Sequence, residues 1–324
     1  MSTDPDPYTT REWISSSDSI DLIIPTLREY WGPDLDTGWC RYKYASGVGT
    51  TIAILISERE HPVGIAAASL QEFDANGACL IGTISVTTFV NPSHRGRGLY
   101  PRLLSELQVL AEAQGASFQV ALPNAISQRS FAKAGYMLAG ESIEQITIAN
   151  PRAVDRFLRS IRSVTEFKDL SVSPDPPSAD EFSTFLESNV DTPFIQSKLT
   201  DEYLAFRLDS RRGRRYSIDR FGDVSAILMH GRRGKLNEVR ILSTSPRILS
   251  HEESNRLAFY IYGKYAADLV TERSTSFNPP RYSIDGLTIT RRARPPLYVL
   301  PTAIAPDNFN PRALRLTGID THTW

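Results

Sequence analysis

A mixed α/β fold built as two tandem units is what this chain predicts, and three features carry the expectation. Residues 81–122 read strand, glycine-bearing loop, helix, strand, the order and length of a crossover unit. The chain has 324 residues of which 41% are apolar, about twice an ordinary domain and apolar enough to give each half a core. The second half loosely repeats the order of the first. These observations place an N-terminal unit at 1–160 and a C-terminal unit at 161–324.

In the first unit, Trp39-Cys-Arg-Tyr-Lys-Tyr44 leads into a strand-rich stretch from Thr51 to Ser57, and Glu72 and Asp74 end the next strand as turn residues. The strand Ile81 to Val90 is rich in β-branched and aromatic side chains, and the even spacing of Ile84, Val86 and Val90 predicts one half-buried face. Pro92 ends its pairing. Leu99, Leu103, Leu104, Leu107, Leu110 and Ala111 recur at helical spacing. Pro101 sits in the first turn, where its missing donor costs little, and Gly115 is placed to end the helix. Phe118, Val120 and Leu122 then alternate in a strand from Ser117 to Leu122. A helix over Arg152 to Ser163 precedes Ser-Val-Ser-Pro-Asp-Pro-Pro-Ser (171–178), a linker or long loop by composition.

In the second unit, Tyr203-Leu-Ala-Phe-Arg-Leu208 repeats the pattern aromatic, two residues, aromatic, base, and precedes strands from Arg215 to His230. The strand Asn237 to Leu242 ends near Pro246 as its counterpart ends near Pro92. A helix starts near His251, opened by Ser250 and Glu253 in capping-box spacing and continued by Leu257, Ile261 and Tyr265. The connection between them, residues 243–250, holds no glycine, so this copy has no anion cradle.

The first copy has one. In Val90-Asn-Pro-Ser-His-Arg-Gly-Arg-Gly-Leu-Tyr-Pro-Arg-Leu-Leu104, successive amides converge after a strand, the helix start adds positive potential, and glycine lets an anion reach the main chain. A dinucleotide fingerprint needs G-x-G-x-x-G with an acidic residue about twenty positions on, and a P-loop ends in Gly-Lys-Ser/Thr. Neither is present.

The order Arg95-Gly96-Arg97-Gly98-Leu99-Tyr100 instead resembles the acyl-CoA pyrophosphate loop of the GNAT acetyltransferase superfamily, Q/R-x-x-G-x-G/A, matched at Arg95 and Gly98 with Tyr100 in place of the last small residue. Residues 123–136 resemble a second superfamily segment, N-x-x-S/A-x-x-x-Y/F-x-K-x-G-F/Y, matched at Asn124, Ser127, Phe131, Lys133, Gly135 and Tyr136. The likeness is specific over residues 80–140 and loose elsewhere, where one working and one degenerate copy resemble the tandem GNAT acyltransferases. It implies acetyl-CoA or another short acyl-CoA as cofactor, held by the main chain of Phe89 and Val90 and by Arg95, Gly96, Arg97, Gly98, Leu99 and Tyr100. Asn124 and Ser127 would meet it from the other side, with pantetheine in the gap where the two parallel strands splay. Read by itself, Asn124 is equally an ordinary helix cap.

The resemblance also implies direct attack of an amine on the thioester, since no Cys or Ser stands in a nucleophile setting. Many GNAT enzymes carry a tyrosine at the position of Phe131, where its hydroxyl protonates the departing thiolate; Phe131 cannot. A thiol pKa of about 8.5 makes the thiolate a tolerable leaving group, so the reaction is slowed and not forbidden. The amine must lose a proton, which asks for a base, yet Ile81 to Val90 offers only Thr83, Ser85, Thr87 and Thr88. In tandem proteins the degenerate half walls the acceptor cleft, which makes Glu238 the candidate base; the alternative is a carboxylate paired with Arg240 or another arginine. The expected activity is N-acylation of a small soluble amine, an amino sugar ahead of an amino acid or peptide. The rivals are a non-catalytic acyl-CoA-binding sensor or scaffold, and an aminoacyl- or fatty-acyl-transferring relative.

Net charge is −1, with 13 Lys and Arg against 17 Asp and Glu over residues 1–160 and 23 against 20 over the rest. The basic runs at 211–215, 232–235 and 291–294 read as solvated turns or as a patch for an anionic acceptor, while the domain-wide basic footprint of a nucleic-acid binder is absent. Cys40 and Cys79 have no metal spacing and one bridge could not scaffold a chain of this length, so no metal is expected. Of the five histidines only His94 adjoins the cradle. No apolar run approaches membrane-spanning length and the N-terminus lacks a basic leader, so a cytoplasmic protein with neither membrane nor nucleic-acid partner is expected; the sequence leaves the oligomeric state open.

Overall fold

The β-branched runs of the first unit become an antiparallel meander. The computed structural model describes residues 6–45, 49–150, 167–169, 177–187, 194–208, 215–245, 249–276, 282–285, 288–292 and 296–316. Strands β1 (Tyr8–Ile14), β2 (Thr51–Glu58), β3 (His61–Ala75) and β4 (Ala78–Val90) pair in chain order. Asn76 and Gly77, at φ 58° and 83°, form the two-residue β3–β4 turn that such a pair favours. Glu72 and Asp74, expected in the turn, instead lie within β3 paired with Ile81 and Cys79, and the Asp74 carboxylate supports the turn by accepting from the Gly77 N–H at 2.9 Å.

Both faces of this sheet are covered, which is why β3 is buried from Val63 to Gln71 without alternation. Helices α1 (Ile24–Trp31) and α2 (Thr37–Ala45) cover Ala53, Leu55, Ile65 and Ala67 on one face. Helix α3 (Leu99–Ala113) covers Ile52, Ile54, Ala66 and Ala68 on the other through Leu99, Leu103, Leu107 and Leu110. It ends as Gly115 predicts: Gly115, at φ 83°, donates to Glu112 O at 2.9 Å and Ala116 donates to Ala111 O at 2.9 Å, the double bond of a Schellman end. Strand β5 (Phe118–Ala121) then lies parallel to β4, and helix α4 (Gln128–Lys133) follows.

The expected single apolar face of β4 is corrected by a bulge. Ser85 pairs with Ala68 but Thr87 with Ala67, so Val86 is an extra residue that shifts the alternation. Val86 therefore packs with Phe89 and Ile65 beneath α1, whereas Val90 packs with Leu99 and Leu103 of α3.

The second unit holds β6 (Met137–Ile148), β7 (Phe167–Asp169), α5 (Ala179–Glu187), β8 (Ile195–Ser197), α6 (Asp201–Arg207), β9 (Arg215–Phe221), β10 (Val224–Arg233), β11 (Leu236–Ser245), α7 (His251–Tyr265), β12 (Leu269–Ser276) and the β13–β14 hairpin (Tyr282–Asp285, Thr288–Arg292). Strands β9, β10 and β11 form an antiparallel meander, and β12 after α7 is parallel to β11, repeating β2, β3, β4, α3 and β5. The capping box is present: Ser250 Oγ accepts from the Glu253 N–H at 3.2 Å, and Glu253 Oε2 from the Ser250 N–H at 2.7 Å. The repeated aromatic and basic pattern also has one structural meaning in both copies. Lys43 is buried with its ammonium 4.7 Å from the Trp39 ring, and Arg207 is buried 5.0 Å from that of Tyr203. The expected helix at 152–163, residues 171–176 of the linker, and residues 211–214, 246–248 and 293–294 lie outside the described residues. No described helix is long and apolar enough to cross a membrane.

Neither unit is a continuous stretch of chain. One comprises Met1–Ala139 with Pro295–Ala313 and the other Gly140–Arg294 with Leu314–Trp324, a division that falls at 139/140 where the sequence suggested 160. Strand β6 pairs antiparallel with β12, so it serves the second sheet, while β16 (Leu314–Arg315) pairs parallel with β8. Strand β15 (Leu297–Pro301) pairs antiparallel with β5 and serves the first. There Thr302 Oγ1 donates to Ala116 O at 2.7 Å, and Leu300 packs against Leu104, Ala121, Phe131 and Tyr136. Leu300→Ala is expected to cost about 2–5 kcal/mol in urea unfolding, as for other buried leucines; a loss under about 1 kcal/mol would mean that β15 is not part of this core.

Candidate active site

The loop after β4 leaves its amides open. Asn91 Oδ1 accepts from the Ser93 N–H at 3.1 Å, and the N–H groups of His94 and Arg95 reach Asn91 O and Pro92 O at 2.9 and 3.3 Å. From there the pairing stops. Among the described residues, the N–H groups of Gly96, Arg97, Gly98, Leu99 and Tyr100 have no protein acceptor, and Pro101 has no donor. The first bond of α3 is from Arg102 N–H to Gly98 O at 3.3 Å. Helix α3 has no side-chain cap, so these donors sit at the positive end of a 15-residue helix. Gly96 and Gly98 hold φ of 80° and 78°, and a Cβ on either would meet nothing within 4 Å. The surface in front of the amides is open.

The loop's own cations are turned away from that opening. Arg97 Nη1 donates to Tyr8 Oη at 2.5 Å and lies 3.6 Å from Glu58, while His94 Nδ1 is 3.1 Å from the same tyrosine oxygen. Arg95 Nε donates to Val90 O at 3.1 Å. The main chain, not the guanidinium groups, is what the loop presents.

Strands β4 and β5 pair only from Gly82↔Phe118 to Ile84↔Val120, so β4 from Ser85 to Val90 has no partner on its β5 side. Asn91 N–H donates to Val63 O at 2.8 Å, which by alternation turns the main-chain groups of Phe89 toward β3 and those of Thr88 and Val90 toward the open side. This corrects the expected role of Phe89, whose side chain borders the site in place of its backbone. Its ring lies 4.7 Å from Tyr30, which is 4.5 Å from Trp31; these two rings are 43% and 49% exposed. Tyr44 and Thr87 share a hydrogen bond of 2.6 Å, and Asn91 Nδ2 donates to Glu29 Oε2 at 3.0 Å. Sequence reasoning missed Glu29, Tyr30 and Trp31, because nothing local marks a helix that reaches β4 only through the folded sheet.

Across the gap, Asn124 Oδ1 accepts from the Ile126 and Ser127 N–H groups at 3.1 and 3.0 Å and from Ser127 Oγ at 3.1 Å. Asn124 thus closes the turn ahead of α4, whose own N-cap is Ser127, and it also fixes Ser127. Phe131 is buried, edge-on to Tyr136 at 4.9 Å and to Tyr100 at 6.2 Å. The Tyr100 hydroxyl faces Thr88 and Ser127, and burial pushes its pKa up to about 12.

Glu238 is placed as an ion-pair partner. It is 1% exposed, and its carboxylate accepts from Arg233 Nε and Nη2 at 2.7 and 2.8 Å, Arg240 Nε at 3.0 Å and Thr271 Oγ1 at 2.7 Å. Glu144 extends the network to Arg233 and Arg273 at 3.2 and 3.1 Å. Burial would raise the Glu238 carboxyl, but Arg233, Arg240 and Thr271 outweigh it and hold it below the ordinary range. A saturated, stabilised carboxylate is a poor proton acceptor. The alternative weighed above, pairing with arginine, is what the geometry shows, and the expected base role is withdrawn.

The model of the acetyltransferase (GNAT) family matches residues 20–136, the span from α1 through the meander, loop, α3 and β5 to the turn after α4. The chain carries a GNAT acetyltransferase domain. Solved structures of GNAT proteins resemble nearly the whole chain. A probable N-acyltransferase of Enterococcus faecalis V583 superposes with TM-score 0.59 at 10% identity, covering 91% of this chain and 73% of its own. A GCN5-related N-acetyltransferase of Anabaena variabilis ATCC 29413 gives 0.57 at 14% identity, over 89% and 72%. Eis1 of Mycobacterium abscessus gives 0.55 at 11% identity, over 90% and 73%. These likenesses are of fold. No curated protein matches the sequence. The family match is to residues 20–136 and the likeness over the rest of the chain is one of fold, with the order of strands and helix repeated in the second unit. In the GNAT domain the loop follows the C-terminal end of β4 and Asn124 follows that of the parallel β5, so both motifs flank one opening in the sheet.

Proposed function

We propose that this chain is an acyl-CoA-dependent N-acyltransferase that transfers a short acyl group, acetyl in preference, to the amine of a small-molecule acceptor. The observation that carries the reading is the run of unpaired amides from Gly96 to Tyr100 at an uncapped helix start, beside an unpaired strand edge. The donor set fits a pyrophosphate: five N–H groups, open space over both glycines, and a favourable dipole. The open edge of Thr88 and Val90 fits pantetheine, which carries amides of its own, and the side-chain amide of Asn124 would contribute from the opposite rim.

When bound, the cofactor supplies an acyl group already activated as a thioester. The Gly96 to Tyr100 amides and the open β4 edge would hold it by main-chain hydrogen bonds, and the half-exposed rings of Tyr30 and Trp31, beside Phe89, would line the acceptor's approach. An amine entering against those rings loses water, and desolvation favours the neutral, attacking form, which eases the need for a side-chain base. An amino sugar, with flat apolar faces to lay on the two rings, is our first choice of acceptor. Cys79 is exposed and outside any disulfide, as suits a reducing cytoplasm.

Calorimetry with CoA and a thiol-release assay with acetyl-CoA against a panel of amino sugars, amino acids and arylamines test this. CoA binding with amine-dependent thiol release is expected. CoA binding with no release for any amine would replace the enzyme by the sensor, the reading that Phe131 favours; no CoA binding would end both.

A further inference from the structure

We propose that the Tyr100 hydroxyl donates a hydrogen bond to the departing sulfur, supplying from the start of α3 the donor that Phe131 on α4 cannot. The inference rests on the acyltransferase reading above and assigns a further catalytic residue to it. Two features meet in space: the small residue expected at 100 is a tyrosine, and the Y/F position at 131 carries the form without a hydroxyl. Their rings touch edge to face at 6.2 Å, in one apolar cluster with Leu104, Tyr136 and Leu300.

The position of the hydroxyl makes the donor role specific. It faces Thr88, on the open edge of β4, and Ser127, on the turn after β5, and so stands between the two walls of the gap. Thr88 Oγ1 is buried without a hydrogen-bond partner among the described residues, so the gap contains polar surface that the protein does not satisfy by itself. Ser127 is already committed to Asn124. A sulfur leaving along the β4 edge would meet the Tyr100 hydroxyl between Thr88 and Ser127, and the hydroxyl would turn to it from those neighbours.

The step balances without any added reactant. The amine lone pair forms the C–N bond, the C–S bond breaks with its electron pair on sulfur, and the Tyr100 O–H···S bond spreads that charge. The proton shed by nitrogen goes to solvent, and the thiolate takes one from solvent. Burial keeps Tyr100 protonated throughout the working range and well above the thiol's pKa of about 8.5, so the proton stays on oxygen and the contribution is a hydrogen bond.

Tyr100→Phe in the full chain tests the assignment, with a thermal melt to confirm folding. CoA affinity by calorimetry is expected to stay within about twofold, kcat to fall about 10- to 100-fold, and KM for acetyl-CoA to change little. Acetyl-seleno-CoA, whose more acidic selenol needs no donor, is expected to recover most of the loss, which a merely structural role would not produce. Unchanged kcat overturns the proposal, as does a fall that the selenoester leaves in place. A lower KM with wild-type kcat also overturns it, since Tyr100 would then obstruct the gap. A wild-type chain that binds CoA and turns over beside a fully active Tyr100→Phe leaves the acyltransferase reading standing and removes this one alone.

Discussion

Gly98→Val abolishes CoA binding in a chain that still folds. Gly98 sits at φ 78°, where a β-branched residue pays about 1–2 kcal/mol or more, and the added side chain meets no protein atom within 4 Å of its Cβ. The fold therefore tolerates it. The space it enters is the space in front of the unpaired amides, and relief of the backbone strain would re-aim the N–H groups of Gly98 and Leu99. Each hydrogen bond from an amide to a charged acceptor is worth about 1.5–3 kcal/mol, so losing two lowers affinity by at least about 100-fold. Calorimetry with CoA measures it, and a thermal melt checks folding. Gly96→Ala, at the same handedness but with a smaller side chain, should fall between. An affinity within a few-fold of wild type for Gly98→Val would remove the anion site from this loop.

Glu238→Gln is expected to destabilise the chain by about 3–5 kcal/mol while sparing the chemistry. The substitution keeps shape but removes the charge that Arg233 and Arg240 share, leaving two buried guanidinium groups short of a counterion. Had this residue been the base, the reverse would hold: a stable protein with a low kcat. Urea unfolding and the specific activity of folded protein separate the two. The acid limb gives a further sign. The Glu238 carboxyl is held below its ordinary 4.5, so the unfolded chain binds the proton first as pH drops. The associated stability is complete above about 4.5 and is lost as pH falls through the folded value, and Glu238→Gln should flatten that decline. A folded variant with kcat reduced and unfolding midpoint unchanged would restore the catalytic role.

What could be read ahead of the structure was local in origin. The β4–α3–β5 crossover, the end of α3 at Gly115 and the capping box of Ser250 and Glu253 each depend on residues a few positions apart, and each is present. Three features were not legible for reasons of range or register. The Val86 bulge moves one residue off the period-two pattern without changing composition. Strand β6 pairs with β12 across more than a hundred residues, so no neighbour in sequence announces it. Pairing of Glu238 with Arg240 could be read two residues away, but Arg233, on the adjacent strand, closes on it only once the hairpin forms. In the site, the glycine loop was legible because backbone conformation is written in glycine, whereas Tyr30, Trp31 and the Tyr100 to Phe131 contact exist only once the meander has formed.

The return of β15 to the sheet that begins the chain has a consequence during synthesis. As the nascent polypeptide leaves the ribosome, the first domain waits with the edge of β5 uncovered until residue 301 has emerged, by which time the strand it appeared to own, β6, has been committed elsewhere. Cutting the gene at any point between the two would yield fragments that each lack a strand, so neither sheet is complete until the chain has been made through residue 301.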